Sequence, residues 1–137
     1  MFALPWSLCR SSITDDPGRL KADYLKYLDN ALDLILANGL AVIVDIHPSD
    51  EFKVKLNSND RQLEAFGKFW RALAQHLSTR DPERVFLEVI NEPMVEDGYR
   101  WYGMQGKLIS AIRSRCAAAY RLSLPAIGGQ VYQSCCF

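Results

Sequence analysis

The sequence predicts an α/β fold built on a parallel sheet. Three observations carry this: two short, nearly continuous apolar runs rich in β-branched residues, amphipathic stretches at helical spacing between and around them, and the alternating order of the two kinds of segment. The runs are Leu40-Ala41-Val42-Ile43-Val44-Asp45-Ile46 and Val85-Phe86-Leu87-Glu88-Val89-Ile90. Strands that lack a polar alternation are covered on both faces, as in parallel sheets.

Residues 17 to 39 read as the first helix. Asp15 and Asp16 offer N-cap oxygens, and Pro17 suits the first helical position. Leu20, Tyr24, Leu28, Leu32 and Leu36 recur at helical spacing, and Asn38-Gly39 is a helix stop. The polar stretch from Pro48 to Asn59 reads as a long loop, a kind of segment that is often functional. Asp60 caps a second helix with the stripe Leu63, Phe66, Trp70, Leu73 and Leu77, and Asp81-Pro82 breaks the chain before the second strand. A third helix runs from about Met104 to Ala118, with Leu108, Ile112 and Cys116 on one face. The tail from Leu122 to Ile127 reads as a further strand, weakened by Pro125.

Composition narrows the function classes. The chain has 137 residues, 49% of them apolar, with 16 basic and 16 acidic side chains. This is one domain's worth of residues with a real core. Zero net charge argues against a nucleic-acid partner, whose footprint is a basic patch. No apolar run approaches the ~20 residues of a membrane span, so no membrane partner is expected. Met1 to Leu8 lacks the basic start and small-residue cleavage site of a signal peptide, and the compartment stays open. Cys9, Cys116, Cys135 and Cys136 show no metal-ligand spacing and read as free thiols, with no metal and no cofactor expected.

In parallel α/β folds the chemistry gathers at the C-terminal ends of the strands. Two such ends are polar here: Asp45-Ile46-His47-Pro48 and Asn91-Glu92-Pro93. Strand parity puts Asp45 and His47 on one face of the first strand, and Glu88 and Glu92 on one face of the second. A barrel aims both sets at its axis, with His47 and Glu92 at the mouth. Blander roles compete with each. A histidine after a strand is commonly a hydrogen-bonded loop residue, and Asn-Glu-Pro also makes a good turn. Glu88, inside an apolar strand, needs a partner, and a structural ion pair low in the barrel is preferred to a catalytic role.

The two strand ends together, Val42-Ile43-Val44-Asp45-Ile46-His47-Pro48 followed after a helix by Phe86-Leu87-Glu88-Val89-Ile90-Asn91-Glu92-Pro93, resemble the cellulase family, glycoside hydrolase family 5. Pro17-Gly18-Arg19-Leu20 through Gly39-Leu40 is similar to that family's helix between its second and third strands. The resemblance covers roughly residues 2 to 112. It implies a partial (β/α)8 TIM barrel, about half of one and comprising strands 2 to 5, with residues 1–137 forming part of a glycoside hydrolase catalytic domain. A whole barrel typically takes ~250 residues. The implied reaction is hydrolysis of O-glycosidic bonds in β-glucan or a related polysaccharide, with retention of configuration. The implied partner is a polysaccharide or oligosaccharide substrate.

By the same resemblance Glu92 is the catalytic acid/base and Asn91 contacts the sugar hydroxyl beside the anomeric carbon. His47 lines the substrate subsite. Trp101 either stacks on a sugar ring or covers the barrel rim. Departures are equally specific. The family's nucleophile is a second Glu on a seventh strand, and no residue here matches it. Ala3 of Ala3-Leu4-Pro5 stands where the family has Arg. After Ser114 only Gly128-Gly129-Gln130 looks like the family's next strand end. The alternative is a non-catalytic truncated fragment, or a carbohydrate-binding or assembly module, which a single strand-end carboxylate favours for the chain taken alone. A third reading, a phosphate-binding doubly wound protein, requires a Gly-rich strand-to-helix turn, and neither strand end offers one. Open barrel edges imply self-association.

Overall fold

A computed structural model of the protein describes residues 2–5, 13, 16–115 and 122–123. The elements are β1 (Phe2–Pro5), α1 (Ala22–Ala37), β2 (Val42–His47), α2 (Asp50–Ser58), α3 (Asp60–Leu77), β3 (Val85–Glu88), α4 (Gly98–Arg113) and β4 (Leu122–Ser123). The four strands form one sheet in the order β1-β2-β3-β4, and every pairing is parallel. Each strand therefore lies beside its predecessor, with helices filling the crossovers.

The apolar runs form strands because alternate residues reach the core. Val42, Val44 and Ile46 of β2, and Val85, Leu87 and Val89 in and just after β3, are 0–2% exposed. They share one cluster with Leu28 and Leu32 of α1, the α3 stripe, and Met104, Leu108 and Ile112 of α4. The opposite face is less covered: Ile43, Phe86 and Glu88 are half-buried. The expectation of strands covered on both faces thus holds for one face. Helix α3 delivers Leu63, Phe66, Trp70, Leu73 and Leu77 to the core, as its periodicity predicts. Trp70 is fully buried and its Nε1 donates to the Val89 carbonyl at 3.0 Å, tying α3 to the end of β3. Across the outer surface Arg80 binds Asp29 at 2.7 Å and also pairs with Asp33, while His76 Nε2 lies 2.9 Å from Asp29, so α1 is fastened to the end of α3.

Several boundaries differ from the sequence reading. Helix α1 starts at Ala22, not near Pro17, because Gly18 sits at φ 95° and Arg19 N–H closes a turn onto the Asp16 carbonyl at 3.0 Å. A helix does not run through a left-handed residue. Asp16 pairs instead with exposed Arg19, and Lys21 occupies the N-cap with no side-chain hydrogen bond. Gly39 ends the helix at φ 74°, as expected.

The loop expected over 48–59 contains helix α2. Ser49 caps it by accepting from Phe52 N–H, Asp50 and Glu51 favour its first turn, and Phe52 and Leu56 bury one face. The Phe52 ring meets Phe66 of α3 edge-on at 5.4 Å. Asn59, not Asp60, caps α3, accepting from Arg61 and Gln62 N–H. Helix α4 begins six residues before the expected Met104, at Gly98, and ends at Arg113. Of the expected tail strand, Leu122 and Ser123 pair with β3, in register with Leu87 and Glu88. Asp15, the four cysteines, Pro125 and Gly128-Gly129-Gln130 lie outside the described residues. No helix among the described residues is long and apolar enough to cross a membrane.

Candidate active site

Sheet register assembles the site. Ala3 lies opposite Asp45, Asp45 opposite Glu88, and Glu88 opposite Ser123, so one row of residues crosses all four strands. Pro5 lies opposite His47 one step nearer the strand ends. The Asn91 N–H donates to the Ile46 carbonyl at 3.0 Å, which carries the β2–β3 pairing past the end of β3. Asn91 and Glu92 therefore emerge beside His47, at the same end of neighbouring strands.

Glu92 is exposed, and its backbone sits at φ 45°. It is the one non-glycine residue at positive φ among the described residues. Such a conformation costs free energy and is concentrated at functional sites. Asn91 is half-buried, and the His47 side chain is 38% exposed.

Below this rim the row is acidic. Asp45 is fully buried, and its Oδ2 lies 2.5 Å from His47 Nε2, although the two are not aligned as a hydrogen bond. Burial pushes the Asp45 carboxyl above the usual carboxylate range, opposed by His47 and by the charge of Lys53. Glu88 is pushed up by burial and then by the neighbouring Asp45. The ion pair expected for Glu88 is not found among the described residues. Its charged neighbours are Asp45 and His47, and burial makes its charged form more costly, which raises the carboxyl. Lys53 of α2 is 7% exposed, with Nζ 3.8 Å from Asp50. The sequence reading missed it because it lay in the presumed loop. The signal that would have found it is Ser49-Asp50-Glu51, a cap followed by an acidic first turn.

Trp101 is displaced from the role the resemblance implies. It lies in the first turn of α4, is 4% exposed and belongs to the hydrophobic cluster, so it neither covers the rim as a loop aromatic nor presents a face to a sugar. Arg100 fixes this turn, donating to the Asn57 carbonyl at 3.0 Å and to Asp60 at 2.8 Å. Among the described residues no group of three His, Cys, Asp or Glu is placed to hold a metal ion.

Sequentially ordered parallel strands with polar residues gathered at one end are the arrangement of a (β/α)-barrel segment. The family model for cellulase, glycosyl hydrolase family 5, matches residues 1–125, and the chain belongs to that family. Endoglucanase C of Acetivibrio thermocellus is 29% identical over 126 residues, which is 88% of this chain and 35% of that protein. Endoglucanase C307 of Clostridium sp. (strain F1) is 28% identical over the same length and shares. The chain thus spans about a third of the curated relatives it matches. Among solved structures, endoglucanase Cel5A from Thermotoga maritima superposes with a TM-score of 0.73 at 22% identity, over 89% of this chain and 38% of that one. A hyperthermophilic endo-β-1,4-glucanase in complex with substrate gives 0.74 at 21%, over 89% and 37%. These neighbours are TIM-barrel endoglucanases, and the parallel sheet is consistent with a partial barrel of the same kind.

Proposed function

We propose that this chain is part of the catalytic domain of a glycoside hydrolase, corresponding to strands two to five of its barrel. The domain hydrolyses O-glycosidic bonds in β-glucan or a related polysaccharide, with retention of configuration. Glu92 acts as general acid/base, Asn91 contacts the hydroxyl next to the anomeric carbon, and His47 lines the subsite that holds the sugar. Trp101 has no part in it. The observation that carries the reading is the strained, exposed Glu92 at the end of the β2–β3 pairing, within the segment that matches the family.

The chemistry divides into two steps. A carboxylate attacks the anomeric carbon as Glu92 gives its proton to the departing glycosidic oxygen. Glu92 then takes a proton from water, whose oxygen displaces the carboxylate and leaves the sugar with its original configuration. The two carboxyls of such a site stand ~5 Å apart. Asp45 and Glu88 lie deeper than Glu92, in the row behind the rim, and neither is assigned as nucleophile. The chain therefore supplies the acid/base half of the site.

The test is a barrel in which these residues replace the matching segment of the endoglucanase C relative. It is expected to release sugar from a soluble β-glucan. Glu92→Gln is expected to lower kcat by ~10²–10⁴-fold, the usual worth of general acid–base catalysis. The loss is smaller on an aryl β-glycoside whose leaving group needs no proton. Activity unchanged by Glu92→Gln would overturn the assignment. The 137-residue chain alone is expected to give no turnover. The second reading, a non-catalytic carbohydrate-binding module, is favoured for that chain by the single rim carboxylate among the described residues. It predicts retention on a β-glucan matrix without hydrolysis.

A further inference from the structure

The fully buried Asp45 has no role in the mechanism above, and His47 has no stated chemistry beyond lining a subsite. Three observations join them. Asp45 Oδ2 and His47 Nε2 are 2.5 Å apart. Both Asp45 oxygens and His47 Nε2 are shielded from solvent and make no well-aligned hydrogen bond among the described residues. The His47 side chain as a whole is nevertheless 38% exposed, so the part of the ring that meets the cleft excludes Nε2. A buried carboxylate beside a buried ring nitrogen fixes the tautomer and orientation of an imidazole, because one nitrogen must carry the proton that the carboxylate accepts. The charge of Lys53, from α2, favours a charged Asp45, while Glu88, next to it in register, disfavours a second negative charge.

We propose that Asp45 is a positioning residue for His47: its carboxylate accepts the ring Nε2–H, which leaves Nδ1 as the atom by which His47 accepts a hydrogen bond from a sugar hydroxyl. This deepens the reading of His47 as a subsite residue and rests on it. It also makes His47 selective in a specific sense. The ring reads a hydroxyl as a donor, so a substrate methylated at that hydroxyl loses the contact.

The test reads the ring proton directly and uses no substrate, so its failure would leave the subsite reading standing. The chain contains two histidines, and His76→Gln assigns their resonances. In the wild-type chain, nitrogen-15 spectra at neutral pH are expected to show His47 in the Nε2–H form, with a slowly exchanging Nε2 proton. Asp45→Asn keeps an acceptor oxygen and is expected to retain that proton signal. Asp45→Leu is expected to abolish it while leaving the His76 signal in place, which reports that the fold is intact. The Nδ1–H form in wild type, or a slow Nε2 proton that survives Asp45→Leu, would overturn the proposal. The wild-type measurement decides the matter even where a variant fails to fold.

Discussion

Glu92 and Glu88 are four residues apart and carry opposite burdens. Glu92 bears backbone strain at an exposed position, and Glu88 bears burial on an unstrained strand. Left-handed backbone costs an ordinary residue about 1 kcal/mol or more, and glycine escapes that cost. Glu92→Gly is therefore expected to be about 1 kcal/mol more stable than Glu92→Ala in urea titration, while both lose hydrolytic activity in the whole barrel. The Glu88 effect depends on pH. Its carboxyl is raised in the folded state, so the unfolded chain gives up its proton first. The stability associated with this group is complete below the ordinary carboxylate range near ~4 and is lost as pH rises through the raised value. Glu88→Gln is expected to flatten that fall, and thermal melts at pH 4 and pH 7 check it. At this scale the sequence showed the strand-end residues, because parity and position need no coordinates. It did not show that Trp101 is core, since a tryptophan after a strand has the same letters whether its helix starts before it or after it. It also did not show that Asp45 and Glu88 are neighbours, which is a matter of inter-strand register.

Elements were legible where an apolar stripe repeats. The α3 stripe is buried as its spacing implies, and the two apolar runs form strands buried on one face, because burial of those faces is what holds the elements in place. Leu73→Ala removes a 2%-exposed side chain from that stripe and is expected to cost about 2–5 kcal/mol in equilibrium unfolding. Helix α2 was not legible as a stripe. It has 9 residues, too few to repeat a pattern, and its evidence lies in its cap and first-turn charges. The start of α1 was misplaced for the converse reason: Asp16 and Pro17 are good starting signals, and the left-handed Gly18 overrides them. The helix that results begins at Lys21 without a capping side chain. Lys21→Ser is expected to add about 0.5–1 kcal/mol, read as a higher thermal midpoint. The fastening of α1 to α3 adds an acid-sensitive contact. Despite partial burial, which acts in the opposite direction, Arg80 and His76 hold the Asp29 carboxyl below its usual range. This contribution is present above the ordinary carboxylate range and fades as pH falls through the lowered value.

For the molecule as a whole, the described sheet is open. β1 and β4 each pair on one side only, and the face holding Ile43, Phe86 and Glu88 is half-covered. Unpaired edges and partly exposed apolar faces favour pairing with another chain. The 137-residue chain is expected to sediment as dimers or larger species, and a strictly monomeric boundary at micromolar concentration would contradict that. The strand order has a further consequence, for biosynthesis. Each described strand lies beside its immediate predecessor, so each pairing within the described sheet is expected to form over a single crossover as the nascent chain leaves the ribosome. Each of these strands is expected to dock on a surface already made, with loop closure inside the described sheet confined to one crossover at a time. The left-handed conformation of Glu92 is expected to be imposed once β2 and β3 have paired, since the Asn91 N–H beside it is held by the Ile46 carbonyl. Glu92 is thus expected to take its conformation late in the addition of its own unit, on a frame already released from the ribosome.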